Sequence, residues 1–414
     1  MRRPFTDRLF GTLYTLLWCV AGPLAFLSPR MRQGLKERLG LGKIRPCDIW
    51  IQGASAGECG LAASLLEHLQ GVPVLATSCT SQGLDVLSKV DSPDVQTRML
   101  PLDLPQIMGR ILDQARPKVV VLLETEIWPG LLMACASRGV PVVVVNGRMT
   151  SGSLAGYLCL RPLLRRWAPQ AVGAMAQDDA VRFGLVFGAQ RTTVTGNIKF
   201  DRAMGTPLIT RQENPLAGLF DHKDSFVALG SVREQEEPQV LELIRLLRQG
   251  DPACVIGLFP RHMHRIHAWQ EMLSRDGIPF VLRSALDSKA QPGSVVLWDR
   301  FGEMPAAYAL ARRAFVGGSL ARLGGQNFLE PLAQGVQACV GPHTRNFDWV
   351  GDEIFQSLVR KCSSVQDIAA FLLSPAPPRA QVREEALAFV RARQGATAAS
   401  MELIRPYLNR SPHA

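Results

Sequence analysis

This chain of 414 residues is short of several things. Aromatic residues make up 7% of it, and no basic stretch interleaves with rings. A groove for single-stranded nucleic acid needs rings on which bases stack, so nucleic acid is not an expected partner. Cysteine never occurs as a C-x-x-C pair. Cys19, Cys47, Cys59, Cys79, Cys135, Cys159, Cys254, Cys339 and Cys362 stand alone. Scattered thiols in a large chain fit a reducing compartment, not a disulfide framework or a zinc site. His262 and His264 lie close together, but no H-E-x-x-H surrounds them, so no metal is expected. No cofactor is expected either. Neither half carries G-x-G-x-x-G after its first strand, and the chain has no G-x-x-x-x-G-K-[ST] and no G-x-S-x-G. That excludes a classical dinucleotide site, a P-loop ATPase and a nucleophile elbow.

What is present points elsewhere. The length suits two globular domains, perhaps three, and 47% apolar residues are ample for large cores. A formal net charge of +10 favours an anionic partner, such as a phosphorylated substrate or a membrane surface. The first forty residues form a region of their own. MRRPFTDR is basic, LFGTLYTLLWCVAGPLAFL (9–27) is uncharged and largely apolar, and PRMRQGLKER is basic again. The apolar run is just long enough to span a bilayer. Pro23 and the flanking cations equally allow a tilted, half-inserted anchor, and cations on both sides suit a segment that does not fully cross. A cleaved signal peptide is the rival, but no clear A-x-A site follows. Residues 1–40 are therefore expected to be an N-terminal membrane anchor, with the body of the protein on the cytoplasmic side.

Beyond it, β-like and helical stretches alternate. DIWIQGAS, PVLATSCT, PKVVVLLE, PVVVVNGR, AVGAMAQ and TTVTG read as strands, and CGLAASLLEHLQG and PGLLMACASRG as helices. Near-continuous apolar strands imply a parallel sheet covered on both faces. Residues 202–224 break the pattern. A second series follows, with SFVALGSV, ACVIGLFPR, PFVLRS, SVVLWD, RAFVGGS and QACVGP as strands. The expected architecture is α/β with two Rossmann-like lobes, 41–210 and 211–385, and a helical tail, 386–414, crossing back.

Acidic and basic residues gather at the ends of these strands. Glu58 follows a strand in a Ser55-Ala-Gly57 turn that opens a helix. There it is either a cap favoured by the helix dipole or a general base. Glu124 and Glu126 end the most apolar strand, where two acids are costly unless solvated, paired or used. One of them could instead cap the helix starting at Pro129. Lys199 closes the first lobe in GNIKFD, facing an anion or simply solvent. In the second lobe Arg261 follows a strand, and its planar fork suits phosphate. GGSLARLGGQNFLEP (317–331) runs from a strand into a short helix. Gly317 and Gly318 would let backbone N–H groups approach a phosphate. Asn327 and Glu330 form either part of that nucleotide site or a capping box.

These stretches together resemble the 3-deoxy-D-manno-octulosonic acid (Kdo) transferases, the membrane-associated GT-B glycosyltransferases of lipopolysaccharide inner-core assembly. The resemblance rests on KERLG, SAGE, LLETEIWPGLL, VNGRMT, GNIKFD, FPRH, FVGGSL, GGQNFLEPLAQG and GPHTRNF, nine motifs in the family's order. It implies a GT-B fold with a cleft between the lobes, a CMP-Kdo donor and a lipid A precursor as acceptor. It also implies an inverting reaction without a required metal, at the inner membrane. The family's proposed base falls on Glu58, with Ser55, Gly57, Glu124, Glu126 and Lys199 in the cleft. Its nucleotide contacts fall on Arg261, Gly317, Gly318, Asn327 and Glu330. Gln326 stands where the family usually has His. ALGSVREQEE stands where A-S-T-H-x-G-E-E is typical, which maps that motif onto Ser231, Arg233 and Glu237.

Overall fold

A computed structural model describes residues 5–25, 28–220 and 226–409. The first four residues, the end of the apolar run at 26–27, linker residues 221–225 and the last five residues lie outside them. The chain forms two compact units. One holds the residues up to Asp201 together with those from Arg393 onward, and the other is Arg202–Ala392. The sequence placed these junctions at 210 and 385.

The first unit is built on seven parallel strands: β1 (Ile49–Gly53), β2 (Val74–Ser78), β3 (Val95–Met99), β4 (Val119–Leu123), β5 (Val142–Gly147), β6 (Ala171–Ala174) and β7 (Thr192–Val194). Their order is β3-β2-β1-β4-β5-β6-β7. β1, β2, β4 and β5 are buried along their whole length, as their apolar runs require. β3 was not expected. It is an edge strand, VQTRM, with only Met99 fully buried. The second unit repeats the design with β8 (Phe226–Val232), β9 (Val255–Pro260), β10 (Phe280–Leu282), β11 (Val295–Leu297), β12 (Arg313–Val316), β13 (Ala338–Val340) and β14 (Val359–Lys361), ordered β10-β11-β9-β8-β12-β13-β14. β14, at the other unit's edge, was likewise unforeseen, because VRK buries only Val359.

The N-terminal helix, α1 (Phe5–Ala25), forms as the apolar pattern demands. Among the described residues, however, no helix is long and apolar enough to cross a membrane. Asp7 and Arg8 sit in its first turn, and Gly11, Thr12 and Thr15 dilute its body. One face packs on the first unit. Phe10 lies 5.4 Å from the Trp167 ring, and the Tyr14 hydroxyl donates to buried Asp103 at 2.7 Å. The opposite face leaves Leu13, Leu16, Leu17 and Val20 mostly exposed.

The tail is two helices, Arg379–Arg391 and Ala396–Leu408, broken at Gly395, where φ is +103°. The second of them buries Ala396, Met401 and Ile404 in the core of the first unit. Asp201 fixes its start, accepting from Gly395 N at 2.7 Å and Thr397 N at 2.6 Å.

Candidate active site

In the first unit the helix α2 (Ala56–Leu66) begins directly after β1. Ser55 is its N-cap and Glu58 occupies the third helical position in a capping box. The Glu58 Oε2 accepts from Ala54 N and, at 2.8 Å, from Ser55 N. The structural role foreseen for Glu58 is therefore real, but it occupies one carboxylate oxygen. Among the described residues Oε1 receives no hydrogen bond. Burial pushes the Glu58 carboxyl above its ordinary pKa, the Ser55 N–H pulls it back, and the nearby Glu124 charge raises it again.

Glu124 and Glu126 follow β4. Glu124 is held at φ +52°, a region that non-glycine residues occupy rarely. It pairs with Lys199 at 3.4 Å. Lys199 is set in place by Asn146 at the end of β5, whose side-chain oxygen accepts from Ile198 N at 2.9 Å. Glu126 accepts from Trp128 Nε1 at 2.8 Å and from Gln52 Nε2 at 3.1 Å. Burial, opposed by the Gln52 hydrogen bond and helped by the charge of Glu58, pushes Glu126 up to about 7. Behind it runs a fully internal chain. Trp50 Nε1 donates to the Thr77 hydroxyl, which donates to Gln52 Oε1. Cys79 is pushed up to about 12 by burial and by Glu126, so at neutral pH it is a thiol and no nucleophile. Glu58, Glu124, Glu126 and Lys199 thus form one linked set, with Ser55 as the helix cap beside Glu58. Gly57 serves only as a helix position, with no neighbour closer than 3.7 Å to an added Cβ.

In the second unit the glycine turn is as tight as its sequence implies. A Cβ on Gly317 would lie 2.7 Å from the Ser231 carbonyl oxygen, and Gly318 has φ +70°. The expected use of its N–H groups is overturned. Gly318 N, Ser319 N and Leu320 N all donate to the carboxylate of Glu236, at 2.5–2.8 Å. Arg233 N completes the set at 3.1 Å. Glu236 is fully buried. The anion hole is filled from within, so these N–H groups have no donors left for a phosphate. The residue that matters in the ALGSVREQEE stretch is therefore Glu236, whereas Glu237 pairs with Arg265 at 2.5 Å.

Glu330 lies just beyond. Its helix, α3 (Leu329–Ala333), starts at Leu329, so Pro331 falls in the first turn and breaks no hydrogen bond. The Asn327 side chain ties the start of this helix together, though the residue before the helix is Phe328 and no capping box forms. Its oxygen accepts from Leu329 N at 3.1 Å and its amide nitrogen donates to Glu330 at 3.1 Å. Burial raises the Glu330 carboxyl, while Asn327 and then the Arg261 charge lower it. Arg261 follows β9, its N–H donating to Val232 O, and lines a pocket of about 80 Å³ with Ser231, Trp298, Phe301 and Met304. Phe301 is 79% exposed there.

Comparison with known proteins gives these features a context. Residues 33–202 match the family model for 3-deoxy-D-manno-octulosonic-acid transferase (kdotransferase). The 3-deoxy-D-manno-octulosonic acid transferase of Haemophilus influenzae is 30% identical, covering 99% of this chain and all of its own. That of Bordetella pertussis is 35% identical over 87% of both chains. Among solved structures, the UDP-GlcNAc 2-epimerase of Neisseria meningitidis aligns with a TM-score of 0.54 over 87% of this chain and 100% of its own, at 13% identity. Acinetobacter baumannii MurG aligns at 0.51 over 87% of this chain and 100% of its own, at 16% identity. At that distance the two structures speak for the two-lobed α/β fold alone.

Proposed function

The chain belongs to the Kdo transferase family, and from that premise we propose which of its residues carry the reaction and on what substrates. It is a glycosyltransferase that transfers Kdo in lipopolysaccharide biosynthesis. The donor in this reading is CMP-Kdo and the acceptor a lipid A precursor, with inversion at the anomeric carbon and no metal. The observation that supports it most is Glu58. One of its oxygens is fixed by two backbone N–H groups, the other takes no hydrogen bond from the described residues, and burial has raised its proton affinity.

The steps follow from that geometry. Glu58 Oε1 accepts the proton of an acceptor hydroxyl as its oxygen bonds to the anomeric carbon of Kdo. The bond from that carbon to the phosphate oxygen breaks, and its electron pair leaves with CMP. Arg261 meets the phosphate charge. Glu330, held by Asn327, accepts from the ribose hydroxyls. Lys199 neutralises Glu124 and limits how far that charge raises Glu58.

The same reading places the protein on the cytoplasmic face of the inner membrane through α1. Its supports are the exposed leucines opposite Tyr14 and the cations that flank the helix. Substituting Leu13, Leu16, Leu17 and Val20 by Ser should release the protein from vesicles. Continued pelleting at high salt would assign docking to another surface.

The deciding experiment is incubation with CMP-Kdo and a lipid A precursor, with mass spectrometry of the lipid. A Kdo-bearing product supports the proposal. Product formed only from a UDP-sugar would move the protein to another GT-B activity. CMP binding without turnover on any nucleotide sugar would leave a membrane scaffold.

A further inference from the structure

The strand-end loops of the second unit enclose a second pocket, at the edge away from Arg261. It has a volume of about 460 Å³ and is lined by Arg322 and Gly324 after β12, by His343, Arg345, Asn346 and Asp348 after β13, and by Lys361 at the end of β14. Arg322, Arg345 and Lys361 are exposed, and none of them forms an ion pair among the described residues. Asp348 is the only carboxylate in the lining, so the pocket carries a surplus of positive charge.

Its frame is fixed. Asn346 N donates to Gly324 O at 2.9 Å, and the Asn346 amide donates to Leu323 O at 3.2 Å. His343 N donates to Ser319 O at 3.0 Å. These bonds stitch the loop after β13 to the loop after β12. Gly324 has φ +89°, and a Cβ there would lie 2.6 Å from the Asn346 side chain, so the join admits no larger residue. Two arginines and a lysine from three loops therefore surround a preformed hollow.

The pocket is not the CMP site argued above. β9, which carries Arg261, and β14, which carries Lys361, are separated by β8, β12 and β13. Adjacent strands lie ~4.8 Å apart, which puts the two cations on the order of 15–20 Å apart along the sheet. CMP has a single phosphate, and it cannot meet both.

We propose that this pocket is a second anion site, in which Arg322, Arg345 and Lys361 bind a phosphate monoester. A dianion matches the surplus charge, and the arginine forks suit its oxygens. The phosphate could be carried by a lipid or by a soluble molecule, and the chemistry at the pocket is the same.

The test uses the full chain saturated with CMP and titrated with inorganic phosphate by calorimetry. The parent should bind phosphate. R322A/R345A/K361A should weaken it about ten-fold or more with CMP affinity unchanged, and R275A, at an exposed arginine elsewhere, should bind like the parent. K361E, on one exposed side chain, should act in the same direction and guards against misfolding of the triple variant. Phosphate binding unchanged in the triple variant would overturn the proposal. So would its loss from the parent when CMP is saturating, or its displacement by free Kdo at equal concentration. Vesicles then identify the carrier. If the parent prefers phosphatidic acid over phosphatidylglycerol and the triple variant does not, the phosphate is lipid-borne. If both bind vesicles alike while phosphate binding has weakened, it is soluble.

Discussion

Both units place carboxylates at the ends of their central strands, fully buried in the second and half-buried in the first, and the two groups could hardly be treated more differently. Glu236 in the second unit receives backbone N–H groups from Gly318, Ser319, Leu320 and Arg233, spread over both of its oxygens. Glu58 in the first receives two, both on one oxygen, and faces the charge of Glu124. Both are withdrawn from water, Glu236 fully and Glu58 in part. What differs is how completely the charged form is solvated by protein, and that decides whether a carboxylate is a fixture or a base. A fully satisfied carboxylate holds a loop. A half-satisfied one beside like charges has a use for a proton.

Removing Glu236 is the severest way to break the comparison. Glu236→Ala leaves three loop N–H groups buried without an acceptor, each costing about 1–3 kcal/mol. Denaturant unfolding should show a loss of roughly 3 kcal/mol or more, with CMP binding weakened as the loop loosens. A variant as stable as the parent would mean the hydrogen bonds hold nothing together. Glu58→Gln should do the reverse. Stability and CMP affinity stay near the parent, while turnover falls by about 10²-fold or more, the scale of a lost general base. Turnover close to the parent rate would make Glu58 a cap and nothing else.

Glu330 lies between these extremes, since Asn327 satisfies it only in part. Glu330→Ala should weaken CMP about ten-fold, or ~1.4 kcal/mol, by calorimetry. An unchanged affinity with earlier unfolding would leave it a member of the turn. The smallest effect sharpens the comparison by pH. The Glu124 charge helps to raise Glu58, and Glu58 works as a base only when deprotonated. Glu124→Gln should therefore move the acid limb of kcat/KM to lower pH. No movement, or a movement upward, would show that the two carboxylates do not feel each other.

Much of this was open to reading along the chain, because local patterns carry it. β1, β4 and β5 are mostly apolar and buried from end to end, and the Ser55–Glu58 turn announces the capping box that forms there. β3 and β14 escaped because edge strands need no buried run. Glu236 escaped for another reason. Three of its four partners lie more than 80 positions away, and only folding brings a strand-end turn and a glycine loop together. The glycines at 317 and 318 correctly marked a place where backbone comes close to an anion. The anion is a side chain of the same protein. Gln52 was hidden inside a strand that reads as apolar, with no signal until Glu126 was set beside it.

The way the two units share one chain has a bearing on inheritance. The second unit is a single uninterrupted stretch, Arg202–Ala392, set into the first. Asp201, on one side of the insertion, is bonded to Gly395 and Thr397 on the other. The points where the stretch enters and leaves are thus pinned together by the host. One contiguous gene segment encodes everything argued for CMP, and the segments around it encode everything argued for Glu58. A single recombination cassette could therefore exchange the nucleotide half between relatives, provided Asp201 and Thr397 stay with the recipient.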